Sequence, residues 1–265
     1  MMGGMGGSDG DRKGTAMLRR AGTVAALGLP YWGVSVAAAP GASALLGRWV
    51  LYRGTPDQGL ALTFDDGPDP EYTPAFLDAL GDRRATFFVL GERVRRWPEL
   101  TRRLVNEGHE VACHGDSHRH LAAMGPRRTE VDLRRAHASI AEVTGRAPRF
   151  YRPPYGVFNL AAWTAAPRLG MRRTLWSAWA KDWRRRATPQ LIAARSLAGA
   201  QPGAILLLHD ADGSPGAPAR TLQALPAILE GIRRRGIELV TLSDLASGEP
   251  GASHSGRSSP SSGTG

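Results

Sequence analysis

Cysteine is nearly absent from this 265-residue sequence, which contains only Cys113. A single thiol excludes an intrachain disulfide framework and a metal cluster built from several cysteines. Lysine is also scarce: Lys13 and Lys181 are the two lysines among 34 basic residues, so arginine carries nearly all the positive charge. Hydrophobic residues make up 42% and charged residues 22% of the chain, which indicates one globular domain with short extensions and excludes a predominantly disordered protein.

The chain has an excess of positive charge, because 34 basic residues oppose 24 acidic ones to give a formal net charge of +10. Such a surface favours anionic partners such as nucleic acid, anionic lipid or an acidic wall polymer. A general bias towards arginine explains the same composition, so charge alone selects none of them. No recognised nucleic-acid-binding motif accompanies the charge, and we do not expect nucleic acid as a partner.

A long uncharged stretch lies near the N-terminus, where residues 21–47 contain no charged side chain over 27 positions. The preceding residues 1–20 form a basic segment. This order is typical of a signal peptide or membrane anchor that leaves the following chain outside the membrane. Gly, Ala, Pro30 and Pro40 make insertion marginal, so a loosely packed N-terminal arm is the alternative. We expect an exported protein of the cell envelope, either secreted or membrane-associated through residues 21–47.

The rest of the chain divides into three regions. Residues 48–57 are interpreted as a linker and residues 58–246 as one folded domain. Residues 247–265 consist almost entirely of Ser, Gly, Pro and small polar residues. Such a composition cannot bury enough apolar area to offset the cost of ordering the chain, so we predict a disordered tail.

Short apolar runs alternate with segments of helical spacing between about residues 60 and 245. This alternation predicts parallel strands with covering helices, hence an α/β fold. Several runs are apolar throughout, as in strands that are buried on both faces. A closed or nearly closed barrel accommodates the seven runs, which are LALTF (60–64), ATFFVL (85–90), HEVACH (109–114), RFYRP (149–153), RRTLWSA (172–178), AILLLH (204–209) and IELVTL (237–242).

Polar side chains that could carry chemistry follow five of these runs. In parallel barrels, reactive groups collect at the C-terminal ends of the strands, so these residues should meet at one face. The barrel and enzyme interpretations therefore support each other. The segments are Asp65-Asp66-Gly67-Pro68, His114 to His118, Arg152 to Gly156, Asp182-Trp183 and His209-Asp210.

Two imidazoles and one carboxylate among these segments form a three-ligand metal set. Alone, the Asp65-Asp66 pair is ordinary turn chemistry, and His114 with His118 at i, i+4 is a weak signal. Together they suit zinc and leave a coordination position for water, as a catalytic site requires. The second carboxylate, with Asp65 as the candidate, could take the proton from that water.

The five segments resemble those of the polysaccharide deacetylase family, the NodB-homology domain of carbohydrate esterase family four. The resemblance covers roughly residues 58–246. It depends on five motifs in the family's order, namely TFDDGP (63–68), HGDSHRHL (114–121), RPPYG (152–156), DW (182–183) and LLLHD (206–210). The resemblance implies a distorted seven-stranded (β/α) barrel, and residues 58–246 would be the catalytic domain.

The resemblance also implies a role for each matching residue. Asp66, His114 and His118 would bind a divalent metal, usually Zn²⁺, with Co²⁺ or another divalent ion as alternatives. Asp65 would be the general base and His209 the general acid that protonates the leaving amine. The reaction would be hydrolysis of an N-acetyl group on an N-acetylglucosamine-containing polysaccharide, such as peptidoglycan or a chitin-like polymer.

Five further residues would support this reaction. Arg152 would hold the base, and Asp182 would orient both Arg152 and the acid. The Tyr155 backbone N–H would stabilise the oxyanion, a role in which preorganised donors contribute strongly. Trp183 and Leu207 would surround the acetyl methyl group.

Two positions depart from the family pattern. Trp179 stands where many members have an acidic residue, and Gly115 stands where Ser or Thr is usual. Neither departure removes a metal ligand, the base or the acid, but both concern the residues around the site and the width of the substrate groove. Trp163, Trp176 and Trp179 are interpreted as core residues, with sugar stacking as the alternative.

Two other functions fit the same residues less well. The same fold could act on O-acetyl esters of xylan or on a non-carbohydrate amide. A catalytically silent envelope protein could use the groove only to bind glycan, but it is expected to lack a ligand or the acid, and this sequence lacks neither. The sequence makes no prediction of oligomeric state.

Overall fold

The computed structural model describes residues 49–213 and 216–247. The basic segment 1–20, the uncharged segment 21–47 and all but the first residue of the predicted tail 247–265 lie outside these ranges, so their predictions stay predictions. Within the described ranges, no helix combines the length and apolar character needed to cross a membrane.

In the part of the chain that the structure describes, eight short strands form one sheet in the order β5-β4-β3-β2-β1-β7-β6, with β8 paired to β1. Every pairing between these strands is parallel, as the alternation of runs predicts. The strands are β1 (Leu60–Asp65), β2 (Thr86–Val89), β3 (Glu110–Cys113), β4 (Phe150–Tyr151), β5 (Arg172–Arg173), β6 (Ala178–Trp179), β7 (Ile205–His209) and β8 (Leu239–Val240).

The predicted run 172–178 is not one strand but two. Its first part, β5, pairs with β4, and its last part, β6, pairs with β7. One run therefore joins both edges of the sheet and curls it into a distorted barrel. The predicted α/β barrel is confirmed, and the distortion lies in this divided run.

The predicted linker 48–57 contributes to the same closure. Leu51 forms a parallel bridge with Thr174, and Arg53 bridges to Ala204. Val50 and Leu51 are 1% and 3% exposed, so this part of the segment packs as core. Its apolar side chains cover the gap that the divided run leaves in the sheet.

Among the described residues, eight α-helices surround the sheet. Proline in the first turn begins several of them, since its missing N–H costs nothing there. The spacing of Val94, Trp97, Leu100 and Leu104 suggests one helix, but Pro98 divides it after Trp97. The helices are α1 (Thr73–Leu80), α2 (Gly91–Arg96), α3 (Pro98–Asn106), α4 (Pro126–Thr144), α5 (Leu160–Arg168), α6 (Pro189–Gly199), α7 (Ala217–Arg234) and α8 (Leu242–Ser247).

The side chains of β1 alternate between two hydrophobic clusters. Leu60, Leu62 and Phe64 belong to the cluster that includes the helix-facing residues. Ala61 belongs to a smaller cluster inside the barrel. Because strand residues alternate in direction, Thr63 and Asp65 follow Ala61 into the barrel interior. The strand therefore delivers the Asp65 carboxylate to the mouth of the barrel.

Candidate active site

Two adjacent carboxylates end β1 at the barrel mouth. Asp65 and Asp66 are 2% and 3% exposed. Asp66 has φ 80°, a left-handed conformation that is uncommon outside glycine. This turn follows the strand directly, and both carboxylates line the same cavity.

His114 and His118 approach the second of these carboxylates. The Nε2 atoms of His114 and His118 lie 3.3 Å and 3.2 Å from Asp66 Oδ1. His114 Nδ1 lies 2.9 Å from the Arg152 carbonyl oxygen. That carbonyl can only accept, so Nδ1 carries a proton, and Nε2 is the ring nitrogen that faces the carboxylate.

These three side chains fit a metal ion. Their ligand atoms all lie within 4.8 Å of one another. Asp66 Oδ1 is buried and has no hydrogen-bond partner among the described residues, as expected of an atom reserved for a cation. Burial raises the pKa of Asp66, but the neighbouring histidines lower it well below its ordinary value, so the ligand is a carboxylate. Burial lowers the pKa of His118, which favours the neutral imidazole that a metal requires.

The loop that carries both histidines is held from helix α4. Asp132 accepts hydrogen bonds from the Asp116 backbone N–H at 2.8 Å and from the Ser117 hydroxyl at 3.1 Å. Gly115 has φ 96°, and a Cβ there would lie 3.0 Å from Asp132 Oδ2. The glycine at this position therefore fits both the backbone conformation and the close carboxylate. Sequence analysis missed Asp132, because a carboxylate on a helix gives no local signal.

The loop is also fixed from helix α2. Arg95 donates to both oxygens of Asp116, at 2.6 Å and 3.0 Å. Asp116 is 7% exposed, so this two-pronged pair is largely shielded from water. The histidine loop is thus tied to two helices on the outside of the barrel.

Arg152 holds the first carboxylate from inside the barrel. Its Nη1 lies 2.6 Å from Asp65 Oδ1 and 3.0 Å from Thr63 Oγ1, and its Nη2 donates to the Leu175 carbonyl oxygen. The guanidinium is completely buried, with its Cζ 3.9 Å from the centre of the Phe88 ring. Because these contacts fix the guanidinium, Arg152 holds the Asp65 side chain in one orientation.

Asp182 orients His209 on the opposite wall. Its Oδ1 lies 3.0 Å from His209 Nδ1, and its Oδ2 accepts from the His209 backbone N–H and from Thr221 Oγ1, both at 2.9 Å. Burial lowers the pKa of His209, but the charge and hydrogen bond of Asp182 raise it to about 10, with smaller contributions from the charges of Asp66 and Asp65. The imidazolium form therefore prevails at neutral pH.

The expectation that Asp182 also orients Arg152 is corrected. The side-chain hydrogen bonds of Asp182 within the described ranges come from His209 and Thr221. Arg152 is oriented instead by Thr63 and by the Leu175 carbonyl. Thr63 reaches Arg152 because it shares the inward face of β1 with Asp65, a relation that strand alternation could have revealed.

The three metal-ligand side chains, Asp65 and His209 line one cavity of about 230 Å³. The predicted wall residues Tyr155, Trp183 and Leu207 line it too. Tyr155 has φ 60°, and its ring lies 4.6 Å from that of His118 and 4.9 Å from that of His120. The structure brings together the three ligands, Asp65, His209 and the three wall residues, while Arg152 and Asp182 support them from outside the cavity.

The three tryptophans that were interpreted as core residues have different positions. Trp163 packs against the core and makes an edge contact with Phe158, as predicted. Trp176 packs against the core and also lines the cavity. Trp179 lines the cavity beside Trp183, with ring centres 5.6 Å apart. The core interpretation is therefore wrong for Trp179, because β6 ends at the barrel mouth.

Comparison with known proteins agrees with this geometry. A sequence model of the family described as polysaccharide deacetylase matches residues 52–174. The chain is 38% identical to a chitooligosaccharide deacetylase of Bradyrhizobium sp. (strain ANU 289), over 69% of this chain and 89% of that protein. It is 36% identical to a peptidoglycan-N-acetylglucosamine deacetylase of Bacillus cereus, over 70% and 87%. A crystal structure of a peptidoglycan N-acetylglucosamine deacetylase superposes with a TM-score of 0.71 at 30% identity, over 77% of this chain and 95% of that one.

Proposed function

The chain belongs to the polysaccharide deacetylase family, and we propose that it hydrolyses N-acetyl groups of N-acetylglucosamine residues in a glycan polymer. The observation that carries this proposal is the convergence of three metal-ligand side chains, a carboxylate and an imidazolium in one cavity of about 230 Å³. Relatives with this reaction in their names are 36–38% identical to this chain.

Asp66, His114 and His118 would hold a divalent cation, with Zn²⁺ as the proposed ion. Two imidazoles and a carboxylate suit zinc, and the three-ligand set leaves room for a further ligand. Bound there, the cation would polarise the amide carbonyl and lower the pKa of a water molecule.

Asp65 is proposed as the general base. Attack of water on the carbonyl carbon forms a C–O bond, and the proton lost by the water passes to the Asp65 carboxylate. Arg152 orients this carboxylate and lies against it as a counter-charge, with a contact of 2.6 Å. The Tyr155 backbone N–H would stabilise the oxyanion, and Trp183 and Leu207 would enclose the acetyl methyl group.

His209 is proposed as the general acid. Its Nδ1 faces Asp182, so Nε2 is the nitrogen free to donate a proton. With a pKa of about 10, the imidazolium carries that proton at neutral pH. Donation to the amide nitrogen accompanies cleavage of the C–N bond and releases acetate and a free amine.

We place the protein outside the cytoplasm, in the cell envelope. The support is the uncharged stretch 21–47 behind a basic segment, which would act as a signal peptide or membrane anchor. The catalytic domain 58–246 would then face the glycan. Fractionation of cells that produce the tagged full chain tests this placement, and recovery in the cytoplasmic fraction alone would contradict it.

Acetate release from N-acetylglucosamine oligomers tests the reaction. The purified protein is compared as isolated, after treatment with a chelator, and after resupply of Zn²⁺ or Co²⁺. We expect activity to vanish with the chelator and to return with metal. If the protein releases acetate from acetylated xylan but not from N-acetylglucosamine oligomers, its substrate is an O-acetyl ester and not an N-acetyl amide. No release from either polymer by protein that binds the metal would indicate a glycan-binding protein without activity.

A further inference from the structure

A segment rich in positive charge follows β6 at the mouth of the cavity. It consists of Lys181 and Arg184 to Arg186, and the three arginines are exposed. We call this segment, residues 181–186, the cationic rim. Between its basic residues lie Asp182, which orients the proposed acid, and Trp183, which lines the cavity. The rim is therefore part of the loop that forms the site.

The backbone of the cationic rim is anchored, so its basic side chains are directed outwards. Asp182 is completely buried, and Ala187, directly after the rim, is 3% exposed. The Arg184 N–H donates to the Lys181 carbonyl oxygen, and the Ala187 N–H donates to that of Arg184. With its inward residues fixed in this way, the loop presents a stable cluster of charge to solvent.

One charge of the rim lies against the cavity wall itself. The Lys181 ammonium is 4.6 Å from the centre of the Trp179 ring, and Trp179 lines the cavity. Lys181 is one of two lysines in the whole chain. A cation over an aromatic face is held there by the ring electrons, so positive charge borders the space a substrate would occupy.

The rim charges have no acidic partners among the described residues. Some surface arginines elsewhere are paired, as Arg103 is with Asp78 and Arg134 with Glu130. No ion pair in the described ranges involves Lys181 or the three rim arginines. Helix α6 begins at Pro189, and its N-terminus adds partial positive charge directly after the rim. These groups repel one another, and a bound anion would relieve the repulsion.

We infer that the cationic rim binds carboxylate groups of the substrate polymer, so that the enzyme prefers an anionic N-acetylated glycan, such as peptidoglycan with its peptide carboxylates, over neutral chitin. This inference depends on the proposed function for the identity of the polymer. The binding itself is separate from turnover, because none of the rim's basic residues belongs to the proposed metal or acid-base groups.

Binding of the full chain to insoluble polymers tests the inference without catalysis. Chelator-treated protein is sedimented with peptidoglycan freed of phosphate polymers by hydrofluoric acid, with the same peptidoglycan after amidation of its carboxyl groups, and with chitin. The triple variant R184Q/R185Q/R186Q should bind the first polymer about tenfold more weakly at low salt. Amidation should weaken wild-type binding to a similar level, and chitin should bind wild type and variant within twofold of each other.

The matched control removes three exposed arginines from the other end of the barrel. R146Q/R168Q/R172Q also removes three positive charges, so it changes the net charge as much as the rim variant does. These arginines follow or end helices or begin a strand, and they lie away from the mouth. Its binding should stay within twofold of wild type. If the control variant binds peptidoglycan as weakly as the rim variant does, the effect comes from net charge alone. If the rim variant binds chitin as weakly as it binds peptidoglycan, the effect comes from a change in the shape of the loop. Unchanged binding after amidation would exclude carboxylates as the target. Each of these results overturns the inference.

The two proposals fail in distinguishable ways. If metal-loaded wild type releases no acetate from peptidoglycan or chitin, the proposed function fails whatever the binding results. If it releases acetate from both, and the triple variant matches wild type on each polymer, the reaction stands and the cationic rim has no role in selection.

Discussion

Replacing Asp182 by asparagine isolates the contribution of the acid's partner. Asp182 accepts from the His209 backbone N–H, from Thr221 and, through its other oxygen, from His209 Nδ1. An asparagine of the same shape has one oxygen and one NH₂ group. If the oxygen faces Nδ1, the NH₂ group is directed at two donors, so the change removes both the charge and part of the hydrogen bonding.

The size of the effect follows from the opposing influences on His209. Burial lowers its pKa, and Asp182 makes the largest contribution to raising it to about 10. Without the carboxylate we expect the pKa to fall to about 6.5 or below, the ordinary value for histidine. At pH 8 roughly one molecule in thirty would then carry the proton. With the loss of orientation, kcat/KM should fall by about 10²- to 10⁴-fold.

Two measurements check this reasoning. The alkaline limb of the pH profile of kcat/KM should move to lower pH in Asp182→Asn, so that part of the loss is recovered between pH 8 and pH 6. A bound cation lowers the pKa of His209 in both proteins, so the comparison uses the difference between them. An alkaline limb at the same pH in both proteins would refute the assignment of His209 as the acid.

Stability of the chelated protein gives the second measurement. The pKa of His209 is raised on folding, so the stabilisation from its pairing with Asp182 is fully present below about pH 6.5 and is lost as the pH rises through about 10. The difference in free energy of unfolding between wild type and Asp182→Asn should therefore shrink from pH 6 to pH 10. A difference that stays constant over this range would contradict the raised pKa.

Three further changes test other parts of the fold. Asp65→Asn should keep metal binding, measured by metal content after dialysis, while the rate of acetate release falls about 10²- to 10⁴-fold, and full activity would refute the base assignment. Asp132→Asn should weaken metal affinity about 10- to 100-fold through the histidine loop, measured by competition with a chelating dye, with an unchanged far-ultraviolet spectrum as the control. Phe64→Ala should cost about 3–5 kcal/mol in urea unfolding, because the buried ring stacks on Phe87 at 5.0 Å, and a loss below 1 kcal/mol would refute its place in the core.

Much of the fold is predictable because its strands are apolar on both faces. Runs such as LALTF and AILLLH predict β1 and β7 to within one residue of their observed ends. The divided run 172–178 is not predictable in this way, because its two short strands depend on different neighbours, β4 and β7. Pro98 could have revealed the break between α2 and α3, since proline favours the first turn of a new helix.

Some residues of the candidate site are likewise predictable from local sequence motifs, whereas others are brought to the site only by tertiary packing. The ligands and the acid lie in motifs whose order along the chain is readable, and their position after strand ends predicts that they meet. Asp132 and Thr221 stand on helices, where a carboxylate or hydroxyl is ordinary. Their roles depend on helix packing that brings them within 3.1 Å of Ser117 and 2.9 Å of Asp182. No spacing rule in the sequence contains those distances.

Arg152 shows how packing and chemistry depend on each other in this barrel. It is the largest completely buried side chain, and its guanidinium lies over Phe88, one of the residues of the inner cluster. An apolar residue there would leave the buried Asp65 carboxylate without a counter-charge, and removing one partner of a buried ion pair is strongly destabilising. The inner face of β1, with Thr63 and Asp65 both on Arg152, therefore orients the proposed base through the same contacts that fill the barrel.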